Sequence, residues 1–186
     1  MTEPRTDLIA TPSQTVGPFF AIGTCPEGGL GRLAGPGARG ERITLSIQVL
    51  DGESQPVADS MIELWQADAD GKYGVDRDFS GFGRLATDPS GRGTFETIRP
   101  GPIARADETA EAAHVNVCLF MRGLLRHVYT RAYFAGDPAL SNDPVLSLVP
   151  VERRPTLLAH PVPGDAAAWA FEIRLQGAHE TVFFDL

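Results

Sequence analysis

The run His114-Val115-Asn116-Val117-Cys118-Leu119-Phe120 carries the most suggestive chemistry in the chain. In extended backbone, residues two apart point to the same face. Two imidazoles at that spacing would stand side by side on a rigid strand and make a natural metal site. Here the pair is one imidazole, His114, and one carboxamide, Asn116. The run therefore reads as a metal site with a substituted ligand, as the fold of such a site without its metal, or as an ordinary half-buried, hydrogen-bonded histidine. Arg131, in Tyr129-Thr130-Arg131-Ala132-Tyr133-Phe134, reads by itself as a surface arginine on a strand. The segment TPSQTVGPFF, Thr11 to Phe20, has a Pro-Ser-Gln-Thr-x-Gly-Pro order that fixes an extended, turning backbone and ends in two aromatics.

Other motifs do not survive their context. Gly35-Pro36-Gly37-Ala38-Arg39-Gly40 satisfies G-x-G-x-x-G, but a dinucleotide loop needs a strand before it and a helix after it. A Gly-rich coil precedes this one and the strand-like ITLSIQVL follows. Gln66 to Arg77 suggests a calcium loop through Asp68, Asp70 and Gly71, yet its first and last positions are Gln66 and Arg77, where carboxylates are required. Asp68 and Asp70 read instead as turn formers. Neither G-x-S-x-G nor H-E-x-x-H occurs, so hydrolase and zinc-protease readings lack support.

At 186 residues, 42% hydrophobic and 22% charged, the composition is that of one ordinary globular domain. A formal net charge of -8 excludes a basic nucleic-acid footprint and the Lys/Arg excess that anionic membranes attract. The first residues, MTEPRTDLIATPSQ, lack a cationic region followed by an apolar one, and no apolar run approaches the roughly 18 residues of a membrane span. Cys25 and Cys118 lie far apart, outside any Cys/His cluster, and read as reduced thiols. These features lead us to expect a soluble, cytoplasmic protein.

The elements that must hold His114 and Arg131 read as strands. RITLSIQVL alternates Ile43, Leu45, Ile47 and Val49 against Thr44, Ser46 and Gln48, and AFEIRLQG alternates Phe171, Ile173 and Leu175 against Glu172, Arg174 and Gln176. In HVNVCLF, Val115, Val117 and Leu119 share one face and His114, Asn116 and Cys118 the other. MIELWQA, GTFETIRP, HVYTRAYF and ETVFFDL read as further strands. Turn residues at Asp51-Gly52, Asp70-Gly71 and DPSGRG separate them. Short strands at this spacing predict an all-β sandwich. Helix signals are confined to a turn or two in DETAEAA, Asp107 to Ala113, and a short helix around Asp137 to Leu140. The Gly-rich stretch Thr24 to Arg42 is unsuited to strand or helix. We expect residues 1–40 to form an arm that packs on another chain and residues 41–186 to form the sandwich. A loose tail is the alternative that composition alone leaves open.

Taken in order, TPSQTVGPFF, IELWQADADGKY, FGRLATDPSGRGTFETIRPGP, HVNVCLF, RHVYTRAYFAGDP and TVFFDL resemble the intradiol ring-cleavage dioxygenases over nearly the whole chain. The resemblance implies a β-sandwich and, in catalytic members, a non-haem Fe(III) held by two tyrosines and two histidines. It further implies insertion of both atoms of O2 between the hydroxyl-bearing carbons of a catechol to give a muconate.

Position by position, the implied ligand set is broken. The first family histidine matches His114, the second falls at Asn116, and the tyrosine of the Pro-Gly-Pro-Tyr motif falls at Ile103. The loop after the Gly71-Lys72-Tyr73 turn, where the other ligand tyrosine lies in catalytic members, contains none, and Tyr73 matches a non-ligand position. A family arginine just before the first histidine is replaced by Glu111 to Ala113. The resemblance thus implies a chain that binds no metal and supports a heteromeric dioxygenase of protocatechuate (3,4-dihydroxybenzoate). Its iron-binding β subunit would hold the Fe(III), in a larger α–β assembly with an interface above about 2,000 Å². Carried over by motif, the substrate-binding residues of this chain are Thr15, Gly17, Pro18 and Arg131, with no catalytic residue of its own. A self-sufficient dioxygenase and a non-enzymatic, transthyretin-like binding module are the competing expectations.

Overall fold

A computed structural model describes residues 11–25, 30–74 and 77–185. Strand β1 (Arg42–Leu50) buries Ile43, Leu45, Ile47 and Val49 and turns Thr44, Ser46 and Gln48 outward, as its period-2 pattern requires. It lies beside β10 (Asp165–Arg174) in parallel, with Leu45 opposite Trp169 and Ile47 opposite Phe171. On its other edge it runs antiparallel to β4 (Arg92–Ile98), with Leu45 opposite Phe95. Strand β9 (Leu158–Val162) completes a layer ordered β9-β10-β1-β4. The second layer is β3-β2-β7-β8, from β2 (Ser60–Gln66), β3 (Phe82–Ala86), β7 (His114–Met121) and β8 (Val128–Phe134).

The layers join along a narrow parallel seam, Tyr133 opposite Leu158 and Phe134 opposite Ala159. Between them, Ile62, Leu64, Val115, Val117 and Leu119 from one layer meet Leu45, Ile47, Phe95, Phe171 and Ile173 from the other in a single core cluster. Burying each of the larger side chains contributes about 1.5–3 kcal/mol, so this shared interior is the main force holding the layers together. The sandwich expected from the alternation is present. Among the described residues the helices are short: α1 (Pro18–Thr24) and three 3-10 turns, of which Pro138–Asn142 is capped by the Asp137 carboxylate accepting from Ala139 N at 3.0 Å.

Three expectations need correction. Of ETVFFDL, residue 186 lies outside the described residues, and 180–185 form a single bridge, Phe184 to Tyr129, and no strand. Its groups cap other elements instead: Thr181 Oγ1 accepts from Arg174 N, and Val182 O accepts from Thr130 Oγ1. Asp107 to Ala113 makes no helical turn. Asp107 Oδ1 accepts from Thr109 N, Glu108 takes a left-handed φ of 64°, and the segment returns as a hairpin of β5 (Ile103–Ala104) with β6 (Ala110–Glu111). Short aspartate side chains favour such turns over helix. The third is α1 itself, which begins at a proline, where a missing N–H costs nothing, within a segment read as extended.

Residues 30–38 pack on the chain's own body, where Leu33 and Ala34 are buried in the main core. Gly83 makes this possible, since a Cβ there would lie 2.5 Å from Leu33 Cδ1 and 2.9 Å from Leu30 O. Among the described residues no helix is long and apolar enough to cross a membrane.

Candidate functional site

The outward face of the β3-β2-β7-β8 layer carries side chains in cross-strand rows. Trp65, Asn116 and Arg131 stand opposite one another on β2, β7 and β8, and the next row is Glu63, Cys118 and Tyr129. Directly opposite residues bring their side chains into contact range. Together these rows floor a cavity of about 600 Å³, walled also by Tyr73, Phe82, Val145 and Phe184. Trp65 stacks on Tyr73 at 5.8 Å between centroids with the planes 10° apart. Asn116 Nδ2 donates to Tyr73 Oη at 2.8 Å. The Tyr73 loop is set by the Asp68-Gly71 turn, in which Asp68 Oδ1 accepts from Asp70 N and Lys72 N. Gly71 has φ of 75°, and a Cβ there would lie 1.9 Å from Pro102 O, so only glycine fits.

At the end of the cavity the charges are paired. Arg131 Nη1 donates to Glu111 Oε2 at 2.7 Å and to Tyr133 Oη at 3.3 Å, while Arg105 Nη1 donates to Glu111 Oε1 at 2.8 Å. Burial alone would raise the Glu111 carboxyl, but the Arg131 guanidinium, with Arg105, outweighs it and holds the group below the usual glutamate range. His114 is 1% exposed. Its Nδ1 lies 2.8 Å from Ala112 O, which can only accept, so Nδ1 carries the proton. Burial first and the nearby Arg131 charge second push the imidazole below its ordinary value and keep it neutral. Tyr133, raised by burial, donates to Asp143 Oδ1, and Asp143 also accepts from Ala112 N and Leu146 N.

The residues expected from the sequence separate into groups. Asn116 and Arg131 share the cavity. His114 sits one row beyond it, opposite Tyr133 and outside the cavity wall. Ile103 is half-buried on β5, opposite Glu111. Thr15 and Gly17 belong elsewhere on the same sheet face. Thr15 Oγ1 accepts from Gly123 N at 2.8 Å, and Gly17 borders a second depression of about 540 Å³ with Phe20, Cys25, Met61 and Phe120. Pro18 opens α1. Phe120 stands two positions beyond Cys118 on β7, so the two depressions adjoin along one strand, and within one chain Arg131 is not brought to Thr15 and Gly17.

Sequence reasoning missed Glu111, Tyr73, Trp65, Tyr133 and Asp143. The strand register that joins Asn116 to Trp65 and Arg131 was the missing information, although i,i+2 alternation had already put Asn116 and Cys118 on one face.

The donor set does not suit ferric iron. A hard trivalent cation requires anionic oxygen donors beside imidazole. This chain offers an isoleucine, a carboxamide hydrogen-bonded to a neutral phenol, and a histidine whose nearest carboxylate is already held by two guanidiniums. Among the described residues no three His, Cys, Asp or Glu side chains converge in a way that would hold a metal.

The two-layer sandwich is shared with dioxygenases of known structure. Residues 16–177 match a family model described as "Dioxygenase", and the chain belongs to the intradiol dioxygenase family. It is 45% identical to the protocatechuate 3,4-dioxygenase alpha chain of Burkholderia cepacia, over 97% of this chain and 100% of that one, and 43% identical to the alpha chain of Pseudomonas putida, over 96% and 97%. The beta chain of the Burkholderia cepacia enzyme is 34% identical over 76% of this chain and 67% of its own length. Among solved structures, the dioxygenase domain of a carbohydrate-binding fusion from Streptomyces sp. SirexAA-E superposes with a TM-score of 0.65 at 25% identity, covering 90% of this chain and 99% of that domain.

Proposed function

We propose that this chain is the α subunit of a protocatechuate 3,4-dioxygenase. In this reading it works in the cytoplasm, within a larger α–β assembly whose β subunit holds the Fe(III). The complex cleaves 3,4-dihydroxybenzoate with O2 to 3-carboxy-cis,cis-muconate in aromatic catabolism. The observation that carries this reading is a dioxygenase frame in which the positions matched by motif to iron ligands hold Ile103 and Asn116. Near-full-length similarity to alpha chains, with weaker similarity to a beta chain, supports the heteromeric arrangement.

The arm supplies this chain's contribution to the partner's site. Thr15, Gly17 and Pro18 lie on this arm, and Gly17, with no side chain and open space around it, lets a neighbouring chain or ligand come close to its backbone. Phe20 anchors the arm on Phe120 at 5.3 Å between centroids, while Phe19 and Ile22 on α1 are 80% and 74% exposed and offer apolar surface to the neighbouring subunit. Arg131, opposite Asn116, is this chain's group for an aromatic carboxylate.

The test is to purify the chain alone and co-expressed with its β partner, and to measure iron per chain and protocatechuate-dependent O2 uptake for both. The expected result is neither iron nor uptake for the chain alone and both for the complex. Stoichiometric iron and turnover from the lone chain would overturn the proposal.

A further inference from the structure

We infer that the tip of the β7–β8 hairpin, through Phe120, Gly123 and His127, is the positioning element for the substrate-facing part of the arm, so that residues touching no substrate set how well the α–β complex binds it. This rests on the proposed role of Thr15, Gly17 and Pro18 at the partner subunit's site. Three side chains of the arm turn toward this chain's own sheet. Thr15 Oγ1 accepts from Gly123 N at 2.8 Å, and Phe20 packs on Phe120 at 5.3 Å between centroids. Thr24 Oγ1 reaches Met61 Sδ at 3.2 Å, while Arg84 Nη1 donates to Thr24 O at 3.3 Å. Gly17, Phe19 and Ile22 are exposed. The arm thus grips its own chain at positions 15, 20 and 24 and leaves positions between them for a neighbour.

The first two anchors bracket Gly17 and Pro18, and both end on the hairpin tip, whose turn is closed by Leu124 N donating to Met121 O at 3.3 Å. By accepting from the Gly123 amide, the Thr15 hydroxyl has its oxygen fixed and its own proton left to donate. Phe120 is backed by the His127 ring at 4.9 Å, and His127 meets Tyr129 edge-on at 4.9 Å with Nε2 2.8 Å from the phenol oxygen. Four rings in series, Phe20, Phe120, His127 and Tyr129, tie the arm to β8. A binding segment ordered in advance spares the ligand the entropy cost of ordering it. Loosening an anchor returns that cost to every binding event and leaves the chemistry of the partner's site unchanged.

Two measurements test this. In the lone chain, amide exchange read by NMR should find Gly123 N–H, held by Thr15, and Phe20 N–H, held by Gly17 O at 3.0 Å, protected. Phe120→Ala should speed exchange of both by roughly tenfold, and Phe120→Tyr, which keeps the ring, should not. In the α–β complex, Phe120→Ala should raise KM for protocatechuate about five- to tenfold with kcat and iron content within about twofold of wild type, and Phe120→Tyr should restore KM. Because Phe120 is half-buried, His127→Ala, at an exposed position, is the second variant and should raise KM about two- to threefold. Unchanged exchange in Phe120→Ala, a loss confined to kcat, or loss of iron or assembly in Phe120→Ala with KM unaltered in His127→Ala would overturn the inference. A wild-type complex without iron or O2 uptake would strike the proposed function instead, and the exchange rates of the lone chain would still decide whether the hairpin holds the arm.

Discussion

The two layers of the sandwich are built by the same rule on their inner faces and differ on their outer ones. On β1, β4 and β10 the outward positions are hydroxyls, amides and charges that pair locally: Ser46 with Thr94 at 3.1 Å, Arg92 with Gln48 at 3.2 Å, Arg174 with Glu172 at 2.6 Å. On β2, β7 and β8 they are Trp65, Asn116, Arg131, Cys118, Tyr129 and Phe120, which floor two largely apolar depressions, whereas the depression of about 450 Å³ on the other layer is lined by Ser46, Gln48, Arg92, Glu172 and Arg174. Period-2 alternation needs only one apolar face per strand, so the other face is free to specialise. One layer uses that freedom for solvation and the other for recognition.

The comparison can be broken most severely from the inside. Phe95→Ala removes a fully buried ring where both layers meet and should cost about 3–5 kcal/mol. Urea unfolding followed by circular dichroism and by Trp65 fluorescence should move together, since the layers share one core. Separate transitions would mean that they are independently stable.

A smaller effect is expected at the recognition face. Glu111→Gln removes the carboxylate charge that Arg131 and Arg105 share and should cost about 2 kcal/mol at neutral pH. The sign of the pH dependence follows from the depressed Glu111 value. The pairing contributes fully above the ordinary glutamate range and is lost as pH falls through the folded-state value, so the variant should lose the lower part of the acid limb. His114, also depressed, adds an upper part, because it must be neutral in the fold and destabilises it as pH drops below about 6.5. His114→Gln should flatten that upper part alone. Stability measured between pH 7 and 3 checks both. The smallest change is expected on the solvated face, where Ser46→Ala should stay within about 0.5 kcal/mol. A larger loss there would show that this face also carries an interaction.

How much was legible in the sequence follows the same division. Strand β1 occupies the quoted Arg42–Leu50, because its four inward aliphatics leave no other way to bury themselves. Strand β3 went unread, since Gly83 and Arg84 interrupt its alternation, and β9 carries a proline, Pro161, that argues against a strand. ETVFFDL has strand composition, but its polar groups serve as caps for β10 and β8. That Ile103 and Asn116 fall at positions where the resemblance implies iron ligands could be read by matching motifs. The ion pair that stands near their place could not, because Glu111 and Arg131 are brought together by the β5-β6 hairpin and the β7-β8 register.

Cys118 gives the recognition face a built-in reporter. Burial first and the Glu63 charge second push its thiol up to about 12, so near pH 8 only about one molecule in ten thousand carries the thiolate that alkylating reagents attack. Modification of Cys118 by iodoacetamide is therefore slow, although the side chain faces the cavity. Its labelling rate, read by mass spectrometry, reports on access to the cavity floor, and a molecule seated there should slow it further.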